Sequence, residues 1–205
     1  MAQLVRIAHI VRCTEAEGPG KRFALWFQGC PLRCPGCCNP EMLPFEGGDL
    51  RPVDDLLGEI RTARDQHGVE GITLLGGEPL AHADGALGLA RGSRALGLSV
   101  MVFTGYTLEE VRRLPNPDVA TLLAHTDLLI DGPYIREQPD TVRRWIGSTN
   151  QRIHFLTSRY HADAAYWREP NTLEIRFSDG ELSINGFPTK RLSLTHRRPR
   201  THAHG

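Results

Sequence analysis

The chain has 205 residues, 40% of them hydrophobic, which is enough for one domain, or one domain with an appendage, around a sizeable core. Lys and Arg together number 24 and so do Asp and Glu, so no overall electric field favours nucleic acid or a membrane surface as a partner. No apolar run is long enough to span a bilayer and the first residues lack the apolar core and cleavage site of a signal peptide, so we expect a cytoplasmic protein.

Predicted strands and helices alternate along the first 157 residues. Apolar runs and period-two alternation predict the strands, and apolar spacings of three and four residues predict the helices. In chain order, the strands are 4–11, 23–29, 69–77, 98–105, 127–131 and 152–157, and the helices are 51–68, 82–97, one that begins at a capping box of Thr107 and Glu110, and 118–125. This alternation predicts an α/β fold with a parallel sheet.

Two details of this pattern carry further expectations. The strand at 69–77 is almost continuously apolar, which is typical of a sheet that is covered on both faces. Lys21 and Arg22 lie just before the second strand, and we expect both to be solvated strand ends.

The chain changes character after about residue 158. Asp179 and Gly180 lie between two alternating runs, which predicts a β-hairpin over 171–187. After Phe187 the chain is basic and contains Pro and His, which is typical of a flexible tail. We therefore divide the sequence into a core domain, 1–158, and a C-terminal extension, 159–205, that contains the hairpin and the basic tail.

Four of the five cysteines lie within nine residues, in the segment QGCPLRCPGCCNP at 28–40. In a reducing compartment such a cluster indicates metal or redox chemistry more than structural disulfides. Cys30, Cys34 and Cys37 form a C-x3-C-x2-C pattern, and three thiolates from one short loop can hold three irons of a [4Fe–4S] cluster. The fourth iron would then be open to a small molecule, as the free position of a catalytic metal site is.

Three other interpretations of the cysteines stay open. A zinc knuckle would require a second Cys pair, or histidines at matching spacing, and the sequence offers neither near the loop. An electron carrier would require a fourth thiolate, for which Cys13 is conceivable, whereas Cys38 adjoins Cys37 and cannot easily reach the same cluster. In the third interpretation, Cys13 and Cys38 are buried or otherwise have no chemical role, as is usual for a lone cysteine.

The segment EGPGKRFALWFQGCPLRCPGCCNPEM (17–42) resembles the cluster-binding segment of radical S-adenosylmethionine enzymes. It is most similar to the activating enzymes of glycyl-radical proteins, in particular the anaerobic ribonucleotide reductase group. Four later segments follow in the order found in that group, namely LLGGEPL (74–80), VFTGYT (102–107), LLIDGPY (128–134) and GSTNQRI (147–153). The resemblance covers about residues 4–157, and it departs from the family at Cys38, a position that is commonly aromatic or otherwise not a thiol.

The resemblance implies a partial (β/α) barrel of the radical S-adenosylmethionine type, with its site at the carboxyl edge of the sheet. It implies a [4Fe–4S] cluster held by Cys30, Cys34 and Cys37. It also implies that S-adenosylmethionine is bound by Gly76, Gly77, Glu78, Pro79, Thr104, Gly105, Tyr106, Asn150 and Arg152. The Glu78 carboxylate and nearby carbonyls are suitable acceptors for the ammonium of that cofactor, although Gly-Gly and Pro also suit a plain strand-to-helix turn.

The activity implied is reductive cleavage of S-adenosylmethionine at the cluster to a 5′-deoxyadenosyl radical, by an enzyme of the oxidoreductase class. The partner implied is a glycyl-radical enzyme such as anaerobic ribonucleotide reductase, with a flavodoxin- or ferredoxin-type electron donor. Two alternatives remain, a radical enzyme on a small molecule that is similar to the 7-carboxy-7-deazaguanine synthases, and an iron–sulfur protein that only transfers electrons.

Overall fold

A seven-stranded mixed sheet forms the centre of the molecule in the computed structural model, which describes residues 3–178 and 181–186. Its strands are β1 (Leu4–Thr14), β2 (Arg22–Phe27), β3 (Asp49–Pro52), β4 (Gly71–Gly76), β5 (Ser99–Phe103), β6 (Leu128–Asp131) and β7 (Arg152–Phe155). They lie in the order β3-β1-β2-β4-β5-β6-β7. Because this order has two ends, the described strands form an open sheet and not a closed barrel.

Four helices accompany the sheet, α1 (Val53–His67), α2 (Ala83–Ala95), α3 (Leu108–Val111) and α4 (Pro117–Ala124). Short 3-10 helices lie at Pro40–Met42, Pro79–His82 and Ala165–Arg168. No helix of the described ranges, 3–178 and 181–186, is long and apolar enough to cross a membrane.

The centre of the sheet is parallel and its margins are antiparallel. Strands β2, β4, β5 and β6 run parallel to one another, as the alternation of strands and helices predicts. Strand β1 is antiparallel to both β2 and β3, and β7 is antiparallel to β6. The α/β fold is therefore confirmed, with a mixed sheet in place of a purely parallel one.

Both faces of the central strands are covered, in agreement with the sequence pattern. On one face Phe23, Leu25 and Ile72 belong to the core that includes the apolar sides of α1 and α2. On the other face Met101 and Leu128 pack in a second cluster with residues from the chain beyond β6, among them Trp145 and Trp167, whose rings meet edge to face at 5.4 Å. Strand β2 is consequently buried along its whole length.

The predicted element ends hold to within two residues, except that β1 continues to Thr14, three residues past its predicted end. Helix α1 begins at Val53, because residues 49–52 form the edge strand β3 that pairs with the start of β1. It ends at Gly68, whose φ of 68° is the left-handed conformation of a helix C-cap. The capping box is confirmed, since the Thr107 hydroxyl accepts from Glu110 N–H and the Glu110 carboxylate accepts from Thr107 N–H.

Arg22 is a correction to the sequence analysis, because it is fully buried and not solvated. Its guanidinium donates to Thr73 Oγ1 (3.1 Å), Ser99 Oγ (2.5 Å), the Tyr160 hydroxyl (3.2 Å) and the carbonyl of Ile72. Glycine is required at position 71, since a Cβ there would collide with this guanidinium. Lys21 is exposed, as expected.

The predicted hairpin is confirmed as β8 (Leu173–Ser178) paired with β9 (Glu181–Gly186). Its turn at 179–180 and the basic tail after 187 lie outside the described residues. The hairpin contacts the end of β1, where Arg176 donates to the carbonyl of Cys13 (2.6 Å) and Asn185 donates to Thr14 Oγ1 (2.9 Å). The backbone N–H of Gly186 donates to the buried carboxylate of Glu17 (2.8 Å).

Candidate cofactor site

A pocket lies where the central parallel strands end, and it collects residues from segments that are far apart in the sequence. Eight of the twelve residues assigned from the resemblance line it, namely Cys30, Cys34, Cys37, Gly76, Gly77, Glu78, Thr104 and Gly105. Pro79, Tyr106, Asn150 and Arg152 do not line it. The carboxyl edge of the sheet thus brings the cysteine loop together with the ends of β4 and β5.

The base of the cysteine loop is fixed by its own backbone. Gly29 N–H donates to the carbonyl of Met42 (2.9 Å), and Cys30 N–H donates to that of Leu43 (3.0 Å). Gly29 has φ of 103°, and a Cβ there would lie 2.5 Å from the ring of Phe45, so only glycine fits. The loop therefore leaves β2 in a defined direction and presents its thiols to the pocket.

The surroundings of two of the three sulfurs suit a cluster. Asn39 N–H donates to Cys37 Sγ at 3.4 Å. Burial raises the pKa of the Cys30 thiol, although hydrogen bonds from the backbone N–H groups of Arg33 and Leu32 act in the opposite direction. Such hydrogen bonds to sulfur are one of the means by which proteins tune iron–sulfur clusters.

No group of three or more His, Cys, Asp or Glu side chains within residues 3–178 and 181–186 is arranged to hold a single metal ion. Three thiols from one loop that line a common pocket fit the three protein-bound irons of a [4Fe–4S] cluster.

Gly76 and Gly77 serve a close contact within the protein. Gly77 N–H donates to the carbonyl of Phe27 (2.8 Å), and Glu78 N–H donates to that of Gly29 (2.9 Å). Gly76 has φ of 97°, and a Cβ there would lie 2.6 Å from the Cα of Trp26. The two glycines thus let the end of β4 pack against the first residues of the cysteine loop, which places both segments on one wall of the pocket.

The Glu78 carboxylate is fully buried and bound by protein donors. It accepts from Leu80 N–H (3.0 Å), from the Thr104 hydroxyl (2.9 Å) and from Gly105 N–H (2.9 Å). Burial raises its pKa to about 7, against the lowering effect of those three donors. In this structure Glu78 fixes the turn after β5 to the turn after β4, and its assignment to the cofactor ammonium stays a prediction.

The four residues outside the pocket lining have other partners. Pro79 is buried at the start of a 3-10 helix, and Tyr106 packs against the core on the helix side of the sheet. Asn150 donates to the carbonyl of Pro133 (2.7 Å). Arg152 donates to the buried carboxylate of Asp131 (2.5 Å) and to Glu109 (2.6 Å), so it lies in an ion-pair network, and its assignment to the cofactor stays a prediction.

The pocket is also lined by further residues of the segments that carry the family resemblance, namely Phe103, Gly132, Tyr134, Gly147 and Gln151. Gln151 is the most informative of them, because its amide accepts from the N–H groups of Gly147 (3.2 Å) and Ser148 (3.1 Å) and donates to the carbonyl of Gly132 (3.1 Å). The sequence signal for the residues of LLIDGPY and GSTNQRI was the order of these segments, which is the order found in the family.

The remaining two cysteines differ in position. Cys13 packs against the core on the helix side of the sheet and does not line the pocket, so the structure does not bring it to the other thiols as a fourth ligand. Cys38 lines the pocket beside the Tyr134 side chain, and burial raises the pKa of its thiol.

Three loop thiols around a pocket at the carboxyl edge of a parallel sheet define the class of iron–sulfur proteins with a single cluster. Residues 16–154 match the family described as "4Fe-4S single cluster domain". The anaerobic ribonucleoside-triphosphate reductase-activating protein of Vibrio cholerae is 31% identical over 148 residues, which cover 69% of this chain and 92% of the relative. The protein of the same name from Escherichia coli K12 is 31% identical over 147 residues, covering 68% and 92%.

Among solved structures, the crystal structure of QueE from Escherichia coli is similar with a TM-score of 0.42 and 22% identity, over 51% of this chain and 54% of that one, which is too slight a likeness to argue from. The chain belongs to the family of the anaerobic ribonucleoside-triphosphate reductase-activating proteins, with its 4Fe-4S single cluster domain. It is accordingly an enzyme of the radical S-adenosylmethionine type, and its cofactors are a [4Fe–4S] cluster and S-adenosylmethionine.

Proposed function

We propose that this protein installs a glycyl radical on a partner enzyme, and that the partner is an anaerobic ribonucleoside-triphosphate reductase. The observation that carries the proposal is the similarity to activating proteins over 92% of their length, together with three thiols and the end of β4 around one pocket.

A flavodoxin- or ferredoxin-type protein is the proposed electron donor, in the cytoplasm. The open sheet corresponds to the partial (β/α) barrel of the family, with residues 1–158 as the core and 159–205 as an extension.

We assign three irons of the cluster to Cys30, Cys34 and Cys37. When bound, a reduced cluster would supply S-adenosylmethionine with the one electron that cleaves its sulfonium S–C5′ bond to methionine and a 5′-deoxyadenosyl radical. The protein's part is to bind, orient and shield. Glu78 holds the turns after β4 and β5 in register, and the side chains of Leu32, Leu75 and Phe103 give the pocket apolar walls that exclude water.

The test has two stages under anaerobic conditions. Reconstituted protein with dithionite and S-adenosylmethionine is expected to form 5′-deoxyadenosine, measured by liquid chromatography. Addition of a purified anaerobic ribonucleoside-triphosphate reductase from the same organism is then expected to give the electron paramagnetic resonance signal of a glycyl radical on the reductase. Formation of 5′-deoxyadenosine with no radical on that reductase would contradict the proposed partner and favour the small-molecule alternative, and absence of both products would contradict the enzyme itself.

A further inference from the structure

A second, more polar groove adjoins the cofactor pocket. The two share Cys38, Tyr134 and Gly147, so they form one continuous depression. The walls of this side groove come from the loop between β6 and β7 and from the chain just before β8, and its charged residues are Asp140, Arg143, Arg144, Arg168 and Glu169.

Two of these charges satisfy each other. Asp140 accepts from Arg143 Nε (2.6 Å) and from the backbone N–H groups of Val142 (2.8 Å) and Arg143 (2.7 Å). The rest of the Arg143 guanidinium donates to backbone carbonyls, including that of Gln151 at 2.7 Å. This pair shapes the loop and has little left to offer a ligand.

Arg144 is different, because part of its guanidinium is buried without a partner. Its side chain is only 10% exposed and pairs with Glu169 at 2.7 Å through one terminal nitrogen. Its Nε is buried and finds no acceptor among the described residues. The guanidinium carbon lies 4.5 Å from the centre of the Trp145 ring, which leaves Nε without an oxygen acceptor. A buried donor without an acceptor costs about 1–3 kcal/mol, and a shift of Arg144 toward an acceptor bound in the groove would remove that cost.

Arg168 adds a free positive charge. It lies exposed at the end of the 3-10 helix Ala165–Arg168 and has no hydrogen bond or ion pair within residues 3–178 and 181–186. Asp140 balances the charge of Arg143, and Glu169 balances that of Arg144. The positive charge of Arg168 is therefore the excess charge among the residues that line the groove. Val142 is 70% exposed and lines the same groove from the β6–β7 loop, so the groove also offers an apolar contact.

We infer that the side groove binds an extended peptide segment of the partner and selects an acidic side chain in it, through Arg144 and Arg168. This inference rests on the proposed function, in which a glycine of the partner must reach the adjoining pocket. A peptide fits both observations, because its backbone spans the continuous depression while a carboxylate and an apolar side chain find complementary groups. Charge-assisted hydrogen bonds from a guanidinium to a carboxylate are the strong ones, and Gln in place of Glu would lose them.

Binding of short glycine-containing peptides to the reconstituted protein with S-adenosylmethionine tests the inference. The peptides carry Glu at successive distances from the glycine, each matched by a peptide with Gln at that place, and fluorescence anisotropy gives the dissociation constants. We expect Glu to bind about tenfold more tightly than Gln at one or two distances, which corresponds to about 1.4 kcal/mol. Arg168→Gln is expected to reduce this preference to less than about twofold.

Arg144→Gln is the second variant and is expected to reduce the same preference. Arg112→Gln, a change at an exposed residue directly after α3, is the matched control and should leave the preference for Glu unchanged. Equal binding of Glu and Gln peptides at every distance, or a preference that survives both groove variants, would overturn the inference. So would displacement of all peptides alike by inorganic phosphate. If wild-type protein forms 5′-deoxyadenosine and activates the reductase while showing no preference, only the groove inference fails. If it forms no 5′-deoxyadenosine, the proposed function fails instead.

Discussion

The two ends of the central parallel strands are built in opposite ways. At the amino ends Arg22, Thr73, Ser99 and Tyr160 form a closed network in which a buried guanidinium reaches four oxygen acceptors. At the carboxyl ends thiols, glycines and backbone groups surround a pocket. Glycine is needed at both ends, at Gly71 to admit a side chain and at Gly76 to admit a neighbouring strand.

Within one strand, the amino end therefore contributes to the stability of the fold and the carboxyl end contributes to the cofactor site. Strand β4 illustrates it, since its first residue adjoins the buried Arg22 network and the two residues after its end wall the pocket. Polar groups at the amino end are satisfied within the protein, whereas the thiols at the carboxyl end face the space that a cofactor fills. Changes at one end should therefore affect folding, and changes at the other should affect cofactor content.

The largest effect is expected at the carboxyl end. Cys34→Ala removes one of three cluster ligands and should abolish the cluster, whereas wild-type protein should hold about four irons and four sulfides after anaerobic reconstitution. Cys13→Ala is the matched control, because Cys13 does not line the pocket and its loss should leave the iron content unchanged. Iron and sulfide assays decide the matter, and loss of the cluster in Cys13→Ala would mean a fourth thiolate ligand.

At the amino end, Arg22→Ala should lower the free energy of unfolding by about 3 kcal/mol. The change removes a buried side chain and leaves the Ile72 carbonyl and Thr73 hydroxyl short of a donor. Urea unfolding of the protein without cofactors measures this, with Lys21→Ala, an exposed neighbour, as the control that shifts stability by less than about 0.5 kcal/mol. Equal effects of the two changes would refute the distinction between buried network and solvated end.

A smaller, pH-dependent effect is expected at Glu17. Burial raises its pKa to about 7, against the opposing hydrogen bonds of Gly186 and Asn185, while its ordinary value is 4.5. The folded protein therefore holds a proton here that the unfolded chain has released, and stability should fall as pH rises from about 4.5 to about 7 and then level off.

Glu17→Gln keeps an oxygen acceptor for Gly186 N–H and removes the ionisation. It should flatten this pH dependence and stabilise the protein above about pH 7 by on the order of 1 kcal/mol. Urea unfolding across this pH range is the measurement. The variant should keep part of the wild-type slope because the pKa of Glu78 is also raised, to about 7, and an unchanged slope would show that Glu17 does not contribute.

The smallest effect on the cofactor is expected from Arg152→Gln. Since Arg152 pairs with Asp131 and Glu109 and does not line the pocket, the affinity for S-adenosylmethionine should change by less than about twofold. Isothermal titration of the reconstituted protein measures it. A tenfold or larger loss would return Arg152 to the cofactor site that the family resemblance suggests.

The sequence predicted features that depend on local patterns. Strand β4 and the capping box at Thr107 were predictable because apolar runs and short-range spacing encode them. The buried state of Arg22 was not, since its partners Ser99 and Tyr160 are 77 and 138 residues away. The same reason hid the role of Glu78, whose donors Thr104 and Gly105 lie on the next strand end. Strand β3 was missed because four residues carry too little pattern.

The hydrogen bonds at the base of the cysteine loop do not involve the thiols. Gly29 and Cys30 are bound to Met42 and Leu43 through main-chain groups, and Gln28 Nε2 donates to the carbonyls of Glu41 and Pro44. A cysteine-to-alanine change should therefore empty the site without unravelling the base of the loop.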